Sequence, residues 1–149
     1  MGWPLMIRPA VEADIPSIIE IGLQALSRAA IPGMMPSRAR IEKLARLGVD
    51  TRDHFLWVAE ANGQVGGVLA ALVHDCLLYE RRQATIVQFE CRIPGDGVKL
   101  LRACRRWWLQ QPMIKMLMIS LEAGVDPRLE RLFVRQGFDR RHPLMVISR

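Results

Sequence analysis

The residues best placed to do chemistry lie at one junction. An apolar stretch, Ile86-Val87-Gln88-Phe89-Glu90-Cys91, runs into Arg92-Ile93-Pro94-Gly95-Asp96-Gly97 and then into Val98-Lys99-Leu100-Leu101. The pattern reads strand, glycine turn, helix. Glycines at such a turn let backbone N–H groups converge, and the start of the helix adds positive potential, so the turn can hold a pyrophosphate without any particular side chain. Gly-x-Gly before a helix also occurs for geometry alone, and at this point both readings stand. The third glycine of a dinucleotide fingerprint and the Gly-Lys-Ser/Thr of a nucleotide-triphosphate loop are missing. Asp96 opposes a phosphate unless its side chain points outward.

Other reactive residue types have blander readings. His54, His74 and His142 share no metal-ligand spacing with one another or with Cys76, Cys91 and Cys104, so no metal is expected. The cysteines, odd in number and set among apolar neighbours, read as buried thiols of a reducing compartment, which points to the cytoplasm. His54 reads as a surface residue, His74-Asp75 as a loop pair with an acceptor pocket as the sharper option, and Trp107-Trp108 as core. Trp3 and Trp57 fit a substrate groove or a dimer contact equally well.

The elements that must position the junction follow from periodicity and punctuation. Leu5 to Arg8 reads as a first strand stopped by Pro9. Asp14 reads as the cap of a helix whose Ile15, Ile18, Ile19, Leu23 and Leu26 form one stripe. Pro36-Ser37 opens a second helix that Gly48 should close. Asn62-Gly63 between Phe55–Ala61 and Gln64–Val73 predicts a type I′ hairpin, with Gly66-Gly67 marking a bulge or a close backbone approach. A fourth strand over 84–92, a helix over 98–111, a strand over 113–121 expected to be buried on both faces, a helix over 128–136 and a final strand over 144–147 complete the order. Hairpin strands followed by strand-helix-strand units imply a single α/β domain over 1–149, with a mixed, mostly antiparallel sheet and helices on both faces.

Composition limits the function classes. The 149 residues suit one core, and no run approaches the roughly 18 apolar residues of a membrane span. No secretory leader is read at the start of the chain. The net charge of +6 is almost all arginine and favours anionic partners, but the arginines are scattered and not interleaved with aromatics, which argues against nucleic acid.

Three segments in order resemble the GNAT superfamily of N-acetyltransferases. Ile7-Arg8-Pro9-Ala10 with Glu12-Ala13-Asp14-Ile15 resembles its usual start, Arg92-x-x-Gly95-x-Gly97 resembles its pyrophosphate loop, and Leu132-Phe133-Val134-Arg135-Gln136-Gly137-Phe138 resembles its C-terminal motif. The likeness covers essentially the whole chain and is strongest to short stand-alone members from bacteria and phages. It implies acetyl-CoA as co-substrate, with Glu90 and Cys91 pairing by backbone with the pantetheine arm in a slot where the fourth and fifth strands splay. Arg92, Gly95, Asp96, Gly97, Val98 and Lys99 would then lie around the pyrophosphate. Phe133, where the family most often has Tyr, would pack along the cofactor but cannot protonate a thiolate.

Within this resemblance Glu90 is the candidate general base, acting directly or through water, with a pKa raised by partial burial. A solvent-facing Glu in an alternating strand is the competing reading. The expected activity is direct transfer of an acetyl group to an amine, either a small molecule or a protein, by a chain that is a homodimer or part of a larger assembly. Phe133, Asp96 and the short connection from strand to Arg92 motivate the alternative, a catalytically degenerate module with a binding or structural role, for example in a phage particle, where the chain would be virion-associated.

Overall fold

The computed structural model describes residues 4–29, 34–121 and 126–140. The expected final strand over 144–147, together with Trp3 and His142, lies outside them. Strands β1 (Met6–Pro9), β2 (Phe55–Ala61), β3 (Gln64–Asp75), β4 (Arg82–Cys91) and β5 (Ile114–Met118) form one sheet in the order β1-β2-β3-β4-β5. The pairs β1–β2, β2–β3 and β3–β4 are antiparallel, and β5 is parallel to β4. The domain is α/β with a mixed, open sheet, as the order of elements implied.

Asn62 and Gly63 take φ of 57° and 71°, the two positive angles a type I′ turn requires, and bring Ala61 opposite Gln64. Alternation along the hairpin then sorts the side chains. Leu56, Val58, Val68 and Ala70 face helices α1 (Ile15–Ala29) and α2 (Arg38–Asp50), while Phe55, Leu69 and Ala71 face α3 (Asp96–Leu109) and α4 (Pro127–Arg135). Helices therefore cover both faces. Ile15, Ile18 and Ile19 of α1 are buried, whereas Leu26 at the far end of the predicted stripe is 48% exposed.

Asp14 does more than cap. Its carboxylate accepts the N–H of Val11 at 2.8 Å and pairs with the Arg8 guanidinium at 2.7 Å, and Arg8 also reaches Glu60 at 2.9 Å. Burial alone would push the Asp14 carboxyl up, but these hydrogen bonds outweigh it and hold the group below its ordinary value. The pair ties β1 to the start of α1 and to β2.

Three expectations are corrected. Gly48 does not close α2, which runs on to Asp50. A Cβ there would meet Leu56 Cβ at 2.7 Å, so the glycine lets the helix press onto the sheet. β5 is not buried on both faces: only Ile114 is buried, Lys115 is exposed and Met116 to Met118 are half-buried. Among the cysteines only Cys104 is buried, with Cys76 intermediate and Cys91 exposed. Among the described residues, no helix is long and apolar enough to cross a membrane.

Candidate active site

β4 and β5 pair only from Arg82 with Ile114 to Thr85 with Met118. Beyond Thr85, the stretch from Ile86 to Cys91 has no described strand on that side, so its backbone N–H and C=O groups line an open slot. The resemblance implied a splay of the two strands here; β5 itself ends at Met118, at the last registered pair. The turn that follows is seated on two glycines of β3. A Cβ at Gly66 would meet Ile93 Cγ1 at 2.7 Å, and one at Gly67 would meet Asp96 Oδ2 at 2.5 Å. Gly66-Gly67 thus serves close approach of the 92–96 loop.

Asp96 points inward. It is 2% exposed, and its Oδ2 accepts the N–H groups of Arg92 and Ile93 at 3.1 Å each. Burial pushes its carboxyl above the ordinary value, and the N–H groups of Ile93, Gly97 and Arg92 offset only part of that. An internal carboxyl therefore already occupies the inner donors of the turn. Gly95, with φ of 83° and no atom within 4 Å of where a Cβ would stand, leaves the mouth of the turn open. Arg92 and Lys99 are exposed there, and Val98 is half-buried behind them.

The other face of β4 carries the titratable group. The register against β3 slips between Ala70, opposite Gln88, and Ala71, opposite Ile86, so Val87 is an extra residue. This bulge reverses the alternation. Phe89 joins Ile86 on the α3 side, and Gln88 and Glu90 turn toward α1 and α2. There they line a cavity of about 250 Å³ whose other walls include Ile18, Gly22, Ala25, Leu44 and His54. Glu90 is half-buried, and burial pushes its pKa up against the opposing charges of Arg92 and Arg28. Such a carboxylate, more basic than usual, suits proton abstraction from an ammonium.

The remaining predicted residues are placed as follows. Cys91, although exposed as a whole residue, turns its sulfur toward Gly97, where a Cβ would meet it at 3.1 Å; desolvation on that side and then the charge of Asp96 push its thiol well up, away from nucleophilic use. Phe133 is 2% exposed and packs edge-on against Phe89 at 5.5 Å and Phe138 at 5.0 Å, inside the core. His74 bonds Thr85 Oγ1 at 2.8 Å on the exposed end of β3, away from the cavity. Trp57 stacks on Phe55, Trp107 tilts against the same ring, and Trp108 donates to Ile114 O. Among the described residues, no three His, Cys, Asp or Glu side chains are grouped as a metal ion requires.

Two site residues escape a reading of sequence alone. His54 is not a surface residue: its Nδ1 accepts the Val73 N–H at 2.9 Å, which leaves Nε2 as the protonated nitrogen of the neutral ring, at the cavity wall. The Gln88 amide nitrogen is buried with no partner among the described residues. A signal for the second existed, because the apolar positions Ala84 and Ile86 change phase to Phe89 and Cys91 across Val87.

No family model matches the chain, and no curated protein matches its sequence. Solved structures do match its shape. A protein from Clostridium acetobutylicum, described as a predicted acetyltransferase and solved with acetyl-CoA, superposes with a TM-score of 0.72 at 15% identity, covering 97% of this chain and 96% of that one. An aminoglycoside acetyltransferase from an uncultured soil metagenomic sample, in complex with sisomicin, gives 0.64 at 19% identity over 97% and 94%. A transcriptional regulator from Bacillus halodurans gives 0.71 at 18% identity over 97% and 99%. Identity this low speaks to architecture alone: the chain has the fold of the GNAT acetyltransferases.

Proposed function

We propose that the chain is an N-acetyltransferase that moves an acetyl group from acetyl-CoA directly to an amine seated in the cavity under α1 and α2. The position of Glu90 carries this reading: it is half-buried at the wall of that cavity, on the strand whose other edge faces the slot. The residues fit an acyl-CoA at two places. The free edge from Ile86 to Cys91 would pair with an extended arm as a strand does. The mouth at Gly95, with Arg92, Lys99 and the first turn of α3, would take the phosphates. The inward carboxylate of Asp96 leaves the phosphates that outer mouth and not the interior of the turn.

An acyl-CoA supplies a thioester carbonyl open to attack. Glu90 takes the proton that the ammonium must lose, directly or through a water, and passes it to solvent. The nitrogen then forms its C–N bond as the C–S bond breaks. Its second proton ends on the departing sulfur, so the products are an amide and a thiol. With Phe133 in the position where resembling sequences carry Tyr, that transfer runs through water.

Thermal unfolding with and without acetyl-CoA tests the binding step. Ligand at about 100 times its Kd stabilises by roughly 2.7 kcal/mol and raises Tm by several degrees. Glu90→Gln should keep that shift and lose turnover by about 10²–10⁴-fold. No shift at millimolar acetyl-CoA overturns the reading and leaves a fold without its co-substrate.

A further inference from the structure

Resting on that reading, we propose that the acceptor is a compact monoamine with an apolar, aryl or branched-alkyl body bearing one oxygen, and not a polyamine. Size comes first. A dry engineered cavity of about 150 Å³ holds benzene; the cavity here, about 250 Å³, has room for a ring and a short chain. Its walls are Ile18, Ala25, Leu44 and Ala45 with their neighbours, and burying apolar surface against them rewards a carbon body.

Charge comes second. Among the described residues Glu90 is the only carboxylate on the cavity wall, and the positive charges of Arg28 and Arg92 already act on it. One ammonium is matched by that group. A second or third would meet apolar walls and like charge, at the expense of its hydration. The aminoglycoside acetyltransferase with sisomicin shares the fold, but among the described residues of this wall no second carboxylate answers a polycation.

The third observation fixes a polar point on the body. The buried amide nitrogen of Gln88 has no partner among the described residues, and a Cβ at Gly22 would stand 3.2 Å from it. Gln88 and Glu90 share one face of β4 two residues apart, which sets them about 7 Å from each other along the strand. An amine held by Glu90 and an oxygen accepting from Gln88, joined by a ring and a short chain, span that distance.

The test uses the full chain with acetyl-CoA and three amines: tyramine, 2-phenylethylamine and spermidine. Release of CoA thiol gives kcat/KM, and calorimetric titration of each amine without acetyl-CoA gives binding free of turnover. Expected are tyramine above 2-phenylethylamine by about tenfold or more, since an unpaired buried donor penalises the analogue lacking oxygen, and spermidine lowest. Gln88→Leu should erase the preference for tyramine. Ala25→Phe should fill the cavity and lower kcat/KM for both aryl amines while leaving the acetyl-CoA thermal shift unchanged. That shift also shows that each variant is folded. A shift with acetyl-CoA but preference for spermidine, or no binding of the aryl amines, overturns this inference and leaves the transferase reading intact. Aryl amines that bind without any acetyl-CoA shift would sink the transferase reading and support the assignment of the cavity. Tyramine preference unmoved by Gln88→Leu removes Gln88 from recognition and overturns the oxygen contact.

Discussion

Glu90 and Asp96 are pushed in the same direction by burial, yet the two shifts have different readouts. Glu90 works as a base only when ionised, so kcat/KM should rise with pH through its raised pKa, and Glu90→Gln should abolish that limb of the profile. Asp96 reports in stability. A carboxyl whose folded pKa is raised contributes most below its ordinary value, and that contribution is lost as pH rises through the folded pKa. Asp96→Asn should therefore gain on the native chain as pH climbs through that window, as read by paired urea melts. Asp96→Ala instead leaves the Ile93 N–H without its acceptor, while the Arg92 N–H keeps the Gly66 carbonyl, at roughly 1–3 kcal/mol. Asp96→Asn should also tighten acetyl-CoA a few-fold, on the order of the 1 kcal/mol that two close charges exert through water. Asp14 runs the other way. Its depressed pKa means that its stability is present above the ordinary value and lost as pH falls through the folded one. Arg8→Met should cost about 1–3 kcal/mol at neutral pH, a figure discounted because the Arg8 side chain is 26% exposed, and less in acid.

Among the elements, glycines at points of close approach hold the site in shape. Gly67→Ala would set a methyl 2.5 Å from Asp96 Oδ2 and 2.9 Å from Ala59 Cβ, both fixed, and should destabilise by roughly 1–3 kcal/mol and loosen the loop. Gly48→Ala tests the same idea against helix propensity. Alanine favours an isolated helix, but here the methyl meets Leu56, so the melt should move down and not up. These positions also mark what sequence conveys. Asn62-Gly63 specifies its turn through its own backbone, and the alternation of the strands it joins is local, so hairpin, faces and layers were all legible. Gly66-Gly67 was legible as a close approach but not as to what approaches. Gly48 read as a helix stop because the clash it avoids lies on the next element, β2, and not within the helix itself. Strict alternation hides Gln88, and the face on which Glu90 stands, until the bulge at Val87 is allowed for. The cavity itself was not legible, since its walls come from helices and strands with no common period. The inward turn of Asp96 was posed by sequence as a question, and packing over Gly67 answered it.

For the whole molecule, the short β4–β5 pairing divides the chain into unequal parts. β2, β3 and β4 are joined by seven and nine registered pairs, whereas among the described residues β5, like β1, is held to the sheet through four, from Arg82–Ile114 to Thr85–Met118. Protection against hydrogen exchange should follow that division: amides of β2 and β3 should exchange only by global unfolding, and those of β5 and α4 through a smaller opening of lower free energy. Anything bound in the slot touches both parts at once. Saturating acetyl-CoA should therefore slow exchange most in β5 and α4, segments that share no residue with the phosphate turn. The open wedge in the sheet would then be the seam along which the molecule breathes, and its ligand the stitch that closes it.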